Sequence, residues 1–86
     1  MNANDILLAP IVTESVIDLI ESENKLAFKV ALRANKQQIR WAVESLYKVK
    51  VVKINTLISP LGIKKAFVKL SPDDNAGDLA TKLGVF

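Results

Sequence analysis

The 86-residue chain contains no cysteine and no histidine. The first absence excludes disulfides and thiolate zinc sites. The second removes the usual general base and the commonest metal ligand. Glycine is scarce, and Gly62, Gly77 and Gly84 stand apart, so no glycine-rich loop cradles a phosphate. Asp73, Asp74 and Asp78 lack the spacing of a calcium loop, and helix capping accounts for the first two. With no catalytic motif in view, an enzyme is not expected, nor is a metal, a cofactor or a small-molecule substrate. Long apolar runs are missing too. Ile6–Val12 is broken by Pro10, follows no basic residue and is succeeded by Glu14, so it reads as neither a secretory leader nor a membrane span. A cytoplasmic protein without membrane insertion is the expectation.

The other shortage is local: acid is nearly absent from the middle of the chain. Eleven basic residues lie between Lys25 and Lys69, with Glu44 as the sole acid among them. Before them stand Asp5, Glu14, Asp18, Glu21 and Glu23 without a base, and after them Asp73, Asp74 and Asp78 against Lys82. The segments carry −5, +10 and −2, a total of +3. A cationic middle between anionic ends points to a polyanion partner for one surface and something different for another. Half the residues are apolar, so this is a folding sequence, and its length suits a single domain over residues 1–86. A chain of this size buries only about 60% of its unfolded surface.

The periodicities predict a small α+β domain, with helices packed on an antiparallel sheet of three or four strands in the order β-α-β-α-β-β-α. A short strand is expected at Asp5–Leu8. Pro10 and Thr13 then announce a helix over Glu14–Glu21, with Val16, Ile17 and Ile20 on its apolar side. Lys25–Arg33 alternates strictly, placing Leu26, Phe28, Val30 and Leu32 on one face. Asn35 caps the next helix, with Gln38 at the third position of a capping box. Its buried stripe is Ile39, Ala42, Val43, Leu46 and Tyr47. Val49–Ser59 reads as a strand with Val52, Ile54, Thr56 and Ile58 on one face. Pro60-Leu61-Gly62 turns it, and Lys64–Leu70 returns with Ala66, Val68 and Leu70 inward. Ser71-Pro72-Asp73-Asp74 fits the start of a last helix, with Asn75 as a competing cap. Ala76, Leu79, Ala80 and Leu83 form its stripe, and Gly84 ends it.

If the apolar strand faces pack on the second helix, Lys29, Lys53, Asn55, Lys65, Phe67 and Lys69 project together from the other side. Lysines neutralise phosphates, Asn55 can bond a phosphate, sugar or base edge, and Phe67 offers a stacking surface. The alternative is an ordinary wet sheet face on which lysines serve solubility and block edge pairing. The near-absence of interspersed acid favours the nucleic-acid surface. Trp41 falls off the stripe of its helix beside Arg40. There it either stacks or anchors a partner, or lies under the last helix or a loop. Glu14, Asp18 and Glu21 share one face of the first helix at i, i+4 and i+7, which should point away from phosphates. Dipole complementarity explains Glu14 and Asp18 but not Glu21.

The runs Pro10-Ile11-Val12-Thr13-Glu14, Ile39-Arg40-Trp41-Ala42-Val43-Glu44 and Val49-Lys50-Val51-Val52-Lys53-Ile54-Asn55-Thr56-Leu57 resemble the family of large-subunit ribosomal protein twenty-three. Lys64-Lys65-Ala66-Phe67-Val68-Lys69-Leu70-Ser71, with Leu79 eight residues on, is similar to that family's signature region. The resemblance covers nearly the whole chain. It implies binding to large-subunit ribosomal RNA beside the nascent-peptide exit, next to neighbouring large-subunit ribosomal proteins. It also implies a docking platform for signal recognition particle or other nascent-chain factors. The short turn at Ser59–Ile63, without a long basic hairpin extension, resembles an archaeal-type member. Thr13-Glu14-Ser15 stands where the family's bacterial members have Thr-Glu-Lys, and Trp41 where lysine or a small residue is usual.

The expected RNA contacts are therefore Lys29, Lys36, Arg40, Lys53, Asn55, Lys64, Lys65, Phe67 and Lys69. The expected factor-facing set is Glu14, Asp18 and Glu21. The competing expectation is a free-standing small RNA-binding module not tied to the ribosome.

Overall fold

Asn2 begins the described part of the chain, residues 2–84 of a computed structural model, and its side chain accepts from the Asp5 N–H to cap a single helical turn. That turn, α1 (Ala3–Ile6), precedes β1 (Leu7–Pro10), α2 (Glu14–Glu23), β2 (Lys25–Val30), α3 (Lys36–Tyr47), β3 (Val51–Ile58), β4 (Lys64–Leu70) and α4 (Ala76–Lys82). After α1 the order is the predicted one. The strand expected at Asp5–Leu8 starts later, because Asp5 and Ile6 complete the turn that Asn2 caps and Ile6 buries its side chain.

The four strands form one antiparallel sheet in the order β1-β2-β4-β3. α3 carries the chain from β2 to the far edge, and β4 returns between β2 and β3. The hairpin closes through Gly62, whose φ of 78° suits a residue without Cβ, and through the Ser59 N–H donating to the Ile63 carbonyl at 2.8 Å. Capping fixes the helix ends as the side chains dictate. Thr13 accepts from the Val16 N–H, and the Asn35 box is complete in both directions at 2.8 and 3.0 Å. α2 runs two residues beyond the expected Glu21 and stops at Asn24 in the left-handed region, φ 57°.

One face of the sheet meets Ile39, Ala42 and Val43 of α3 in a single buried cluster with Leu26, Phe28, Val30, Ala66, Val68 and Leu70. The Phe28 and Tyr47 rings stack there, with centroids 6.0 Å apart and planes 16° apart. Partial burial raises the Tyr47 pKa above its ordinary 10.0, because the phenolate would lose hydration.

Three details depart from the alternation and stripe patterns. β2 ends at Val30, and Leu32 is 56% exposed beyond it. Leu46 lies at the surface instead of on the buried stripe of α3. A bulge between Val51 and Lys53 shifts the register of β3, so that Val51 pairs with Leu70 in the core and Val52 is 57% exposed.

Asn75, not Ser71, caps α4; its side chain accepts from the Asp78 N–H at 3.0 Å. The approach to this helix is fixed by Asn24. Its Nδ2 donates to the carbonyls of Leu70, Ser71 and Asp74 at 3.3, 3.2 and 2.8 Å, and its Oδ1 accepts from the Ala76 N–H at 2.7 Å. One side chain thus joins the end of α2, the end of β4 and the start of α4.

Candidate nucleic-acid interface

Strand register places nine outward residues in three cross-strand rows. Lys25, Lys69 and Lys53 form the first, Ala27, Phe67 and Asn55 the second, and Lys29, Lys65 and Leu57 the third. Neighbouring strands lie about 4.8 Å apart and successive same-face residues about 6.6 Å apart, so the grid is dense in charge. Lys29, Lys53, Asn55 and Lys69 are exposed, whereas Lys25, Lys65 and Phe67 are half-buried. Ala27 is only 2% exposed, and Phe67 is packed against the buried cluster that includes it. Phe67 therefore presents part of its ring and not a free-standing platform.

Like charges directly opposite one another destabilise a sheet. Here Lys25 opposes Lys69, Lys53 opposes Lys69, and Lys29 opposes Lys65. Among the described residues the ion pairs are Lys25–Glu23 at 3.3 Å and Arg40–Glu44 at 3.6 Å, so Lys29, Lys53, Lys65 and Lys69 have no carboxylate partner. A ladder of unpaired lysines lowers its self-repulsion when a polyanion lies on it.

The remaining expected contacts do not share that face. Lys64 has the inward register of Ala66 and Val68, and its Nζ donates to the Ala34 carbonyl. That bond ties down a cation which sequence alternation leaves free. Lys36 and Arg40 lie on α3, beyond the free edge of β3, where they line a groove with Val51–Ile54. The nine residues thus divide between the sheet face, the α3–β3 edge and the tethered Lys64.

Glu44, the sole acid of the cationic segment, is held inside this edge. Its Oε2 accepts from the Val51 N–H at 3.0 Å, at the start of the bulge, and also faces Arg40. Asp74 does similar work, accepting from the Lys50 N–H at 2.8 Å.

Glu14, Asp18 and Glu21 are exposed along one side of α2. Contrary to the expectation that this stripe points wholly away from phosphates, Glu21 lines a groove with Lys69, Val52 and Asn75. The anionic and cationic surfaces meet there. No helix of the described residues is long and apolar enough to cross a membrane. Trp41 is 49% exposed, uncovered by α4.

A buried α+β core against one sheet face and a lysine-rich grid on the other make this a small cationic α+β domain. The profile of the family described as Ribosomal protein L23 matches residues 5–61. Along its full 86 residues the chain is 43% identical to the Large ribosomal subunit protein uL23 of the archaeon Methanococcus vannielii, with 100% of each chain covered. The chain belongs to the Ribosomal protein L23 family.

Proposed function

We propose that the protein is a structural, non-catalytic rRNA-binding component of the large ribosomal subunit, set beside the polypeptide exit, with α2 as a docking surface for nascent-chain factors such as signal recognition particle. Family membership supports the large-subunit role, with ribosomal RNA and neighbouring ribosomal proteins as partners in the cytoplasm. The observation that carries RNA binding is the pair of cross-strand contacts Lys29–Lys65 and Lys53–Lys69, left without carboxylates among the described residues. Lys29, Lys53, Asn55, Lys65 and Lys69 would meet phosphates and sugars, Phe67 a base edge or face, and Lys36 and Arg40 a strand passing the β3 edge. Lys64 contributes charge from its tether. The exit-side position and the factor-facing role of Glu14, Asp18 and Glu21 rest on the resemblance, together with the exposure of all three carboxylates on one helix face.

The decisive measurement is affinity for large-subunit rRNA as a function of salt. Lys65→Glu combined with Lys69→Glu should weaken binding and lower the log–log salt slope by roughly 0.7–0.9 per lost phosphate contact. Unchanged affinity and slope would remove the sheet face from the interface. Similar affinity for many unrelated RNAs at matched salt would point instead to a free-standing module. Glu14→Lys should leave rRNA affinity unchanged and reduce recruitment of signal recognition particle to ribosomes; equal recruitment would end the docking assignment.

A further inference from the structure

Trp41 is 49% exposed and is not one of the residues that α3 buries. α3 buries Ile39, Ala42 and Val43, while Trp41 lies one turn on from Gln37 on the outer side. An indole half in water is a large apolar area without a partner. Gln37, one turn before it on the same helix, forms part of the wall of an adjoining groove. Lys36, Gln37 and Arg40 on α3 and Val51–Ile54 on β3 enclose a groove of about 150 Å³ along the free edge of the sheet. Three cations, Lys36, Arg40 and Lys53, line it. The nearby acid, Glu44, is occupied by the Val51 N–H and Arg40. The β3 bulge sets this geometry, since it turns Val52 outward where the strand passes α3.

We propose that the α3–β3 groove holds a single RNA strand, with its phosphates against Lys36, Arg40 and Lys53 and one unpaired base stacked on Trp41. The inference rests on the rRNA-binding reading above and adds to it a second element of the interface. A duplex offers no free base face to an indole, whereas a loop, bulge or strand end does. A protein partner is disfavoured by the charge: three cations along the groove, with an exposed indole one helical turn from its Gln37 wall, suit phosphates and a base face together. Lys53 belongs both to the sheet grid and to this groove. The RNA therefore continues from the sheet face around the β3 edge to α3, so one ligand touches both sides of the strand.

The test uses the intact protein and its own fluorescence, because Trp41 is the only tryptophan in the chain. Large-subunit rRNA transcript is titrated while filter retention measures binding in parallel. The expected result is saturable quenching that follows the binding curve, with Trp41→Ala weakening affinity about fivefold to a hundredfold and Trp41→Phe retaining most of it. Circular dichroism and thermal melting should match the parent for both variants, since the side chain is surface-exposed. Parent-like affinity of Trp41→Ala, with emission unchanged on RNA binding, overturns the groove while leaving the rRNA-binding reading intact. Emission that changes only when other large-subunit proteins are added overturns it in favour of a protein contact. Failure of the parent to bind rRNA at all removes the underlying reading, and this inference with it.

Discussion

The two faces of β4 differ by one residue step and answer to different partners. Ala66, Val68 and Leu70 are sealed against the rest of the core, and their free energy is complete within the chain. On the other side of the same seven residues, Lys69 opposes Lys25 and Lys53, Lys65 opposes Lys29, and Phe67 lies between Ala27 and Asn55. The first face gains from burial at about 25 cal/mol per Å² of apolar surface. The second loses a little from like charge, which a bound polyanion would relieve. On the proposed function, the strand is two half-interfaces, one closed by folding and one open to a ligand.

The comparison breaks most visibly on the closed side. Phe28→Ala removes a fully buried ring stacked on Tyr47 and should cost about 3–5 kcal/mol in urea unfolding. Against a typical total of about 5–15 kcal/mol, that would leave the domain barely folded. A loss under about 1 kcal/mol would show that this face is not the organising core. The open side should respond oppositely. The Lys65→Glu and Lys69→Glu pair, expected to weaken RNA binding, places opposite charges across the strands, so its stability should hold or rise by up to about 1 kcal/mol. A clear loss of stability would mean that these lysines serve the fold as well as the RNA.

The smallest effect comes from the aromatic pair at high pH. The folded state holds the Tyr47 proton more tightly than the unfolded chain does. Its contribution is therefore constant below the unfolded pKa near 10 and declines as pH rises above it. Tyr47→Phe should flatten that decline relative to the parent, in urea midpoints compared between neutral pH and pH about 11. Identical slopes would show that the ring's hydroxyl is not desolvated.

Much of this division is legible in the sequence because a period of two is unambiguous where apolar and basic residues alternate, as in Lys64–Leu70. Legibility fails where both neighbours are apolar. Val51 and Val52 fit either face by pattern, and only the Glu44 carboxylate at the Val51 N–H and the resulting bulge decide which goes inward. Lys64 shows a second limit: alternation gives its face but not the Ala34 carbonyl that engages its amine, thirty residues away in the chain. The opening turn was open to capping logic, since Asn2 and Asp5 have the spacing of a cap and an acidic third position. Ile6, Leu7 and Leu8 outweighed that signal by resembling a strand. Trp41 could be placed off the stripe, but not whether α4 reached it, because contacts between distant elements leave no local periodicity.

Asn24 has a consequence for the order in which the molecule can be completed. Its four hydrogen bonds reach residues 46 to 52 positions further along the chain. A chain that emerges from its amino end can form α2, the α3 turns and the β3–β4 hairpin from contacts already in hand. The corner at Asn24 must wait until Ala76 has been synthesised. Until then Asn24 can engage at most the carbonyls of Leu70, Ser71 and Asp74, and the start of α4 is not yet joined to it. The corner is therefore the last of these contacts that a chain growing from its amino end can complete.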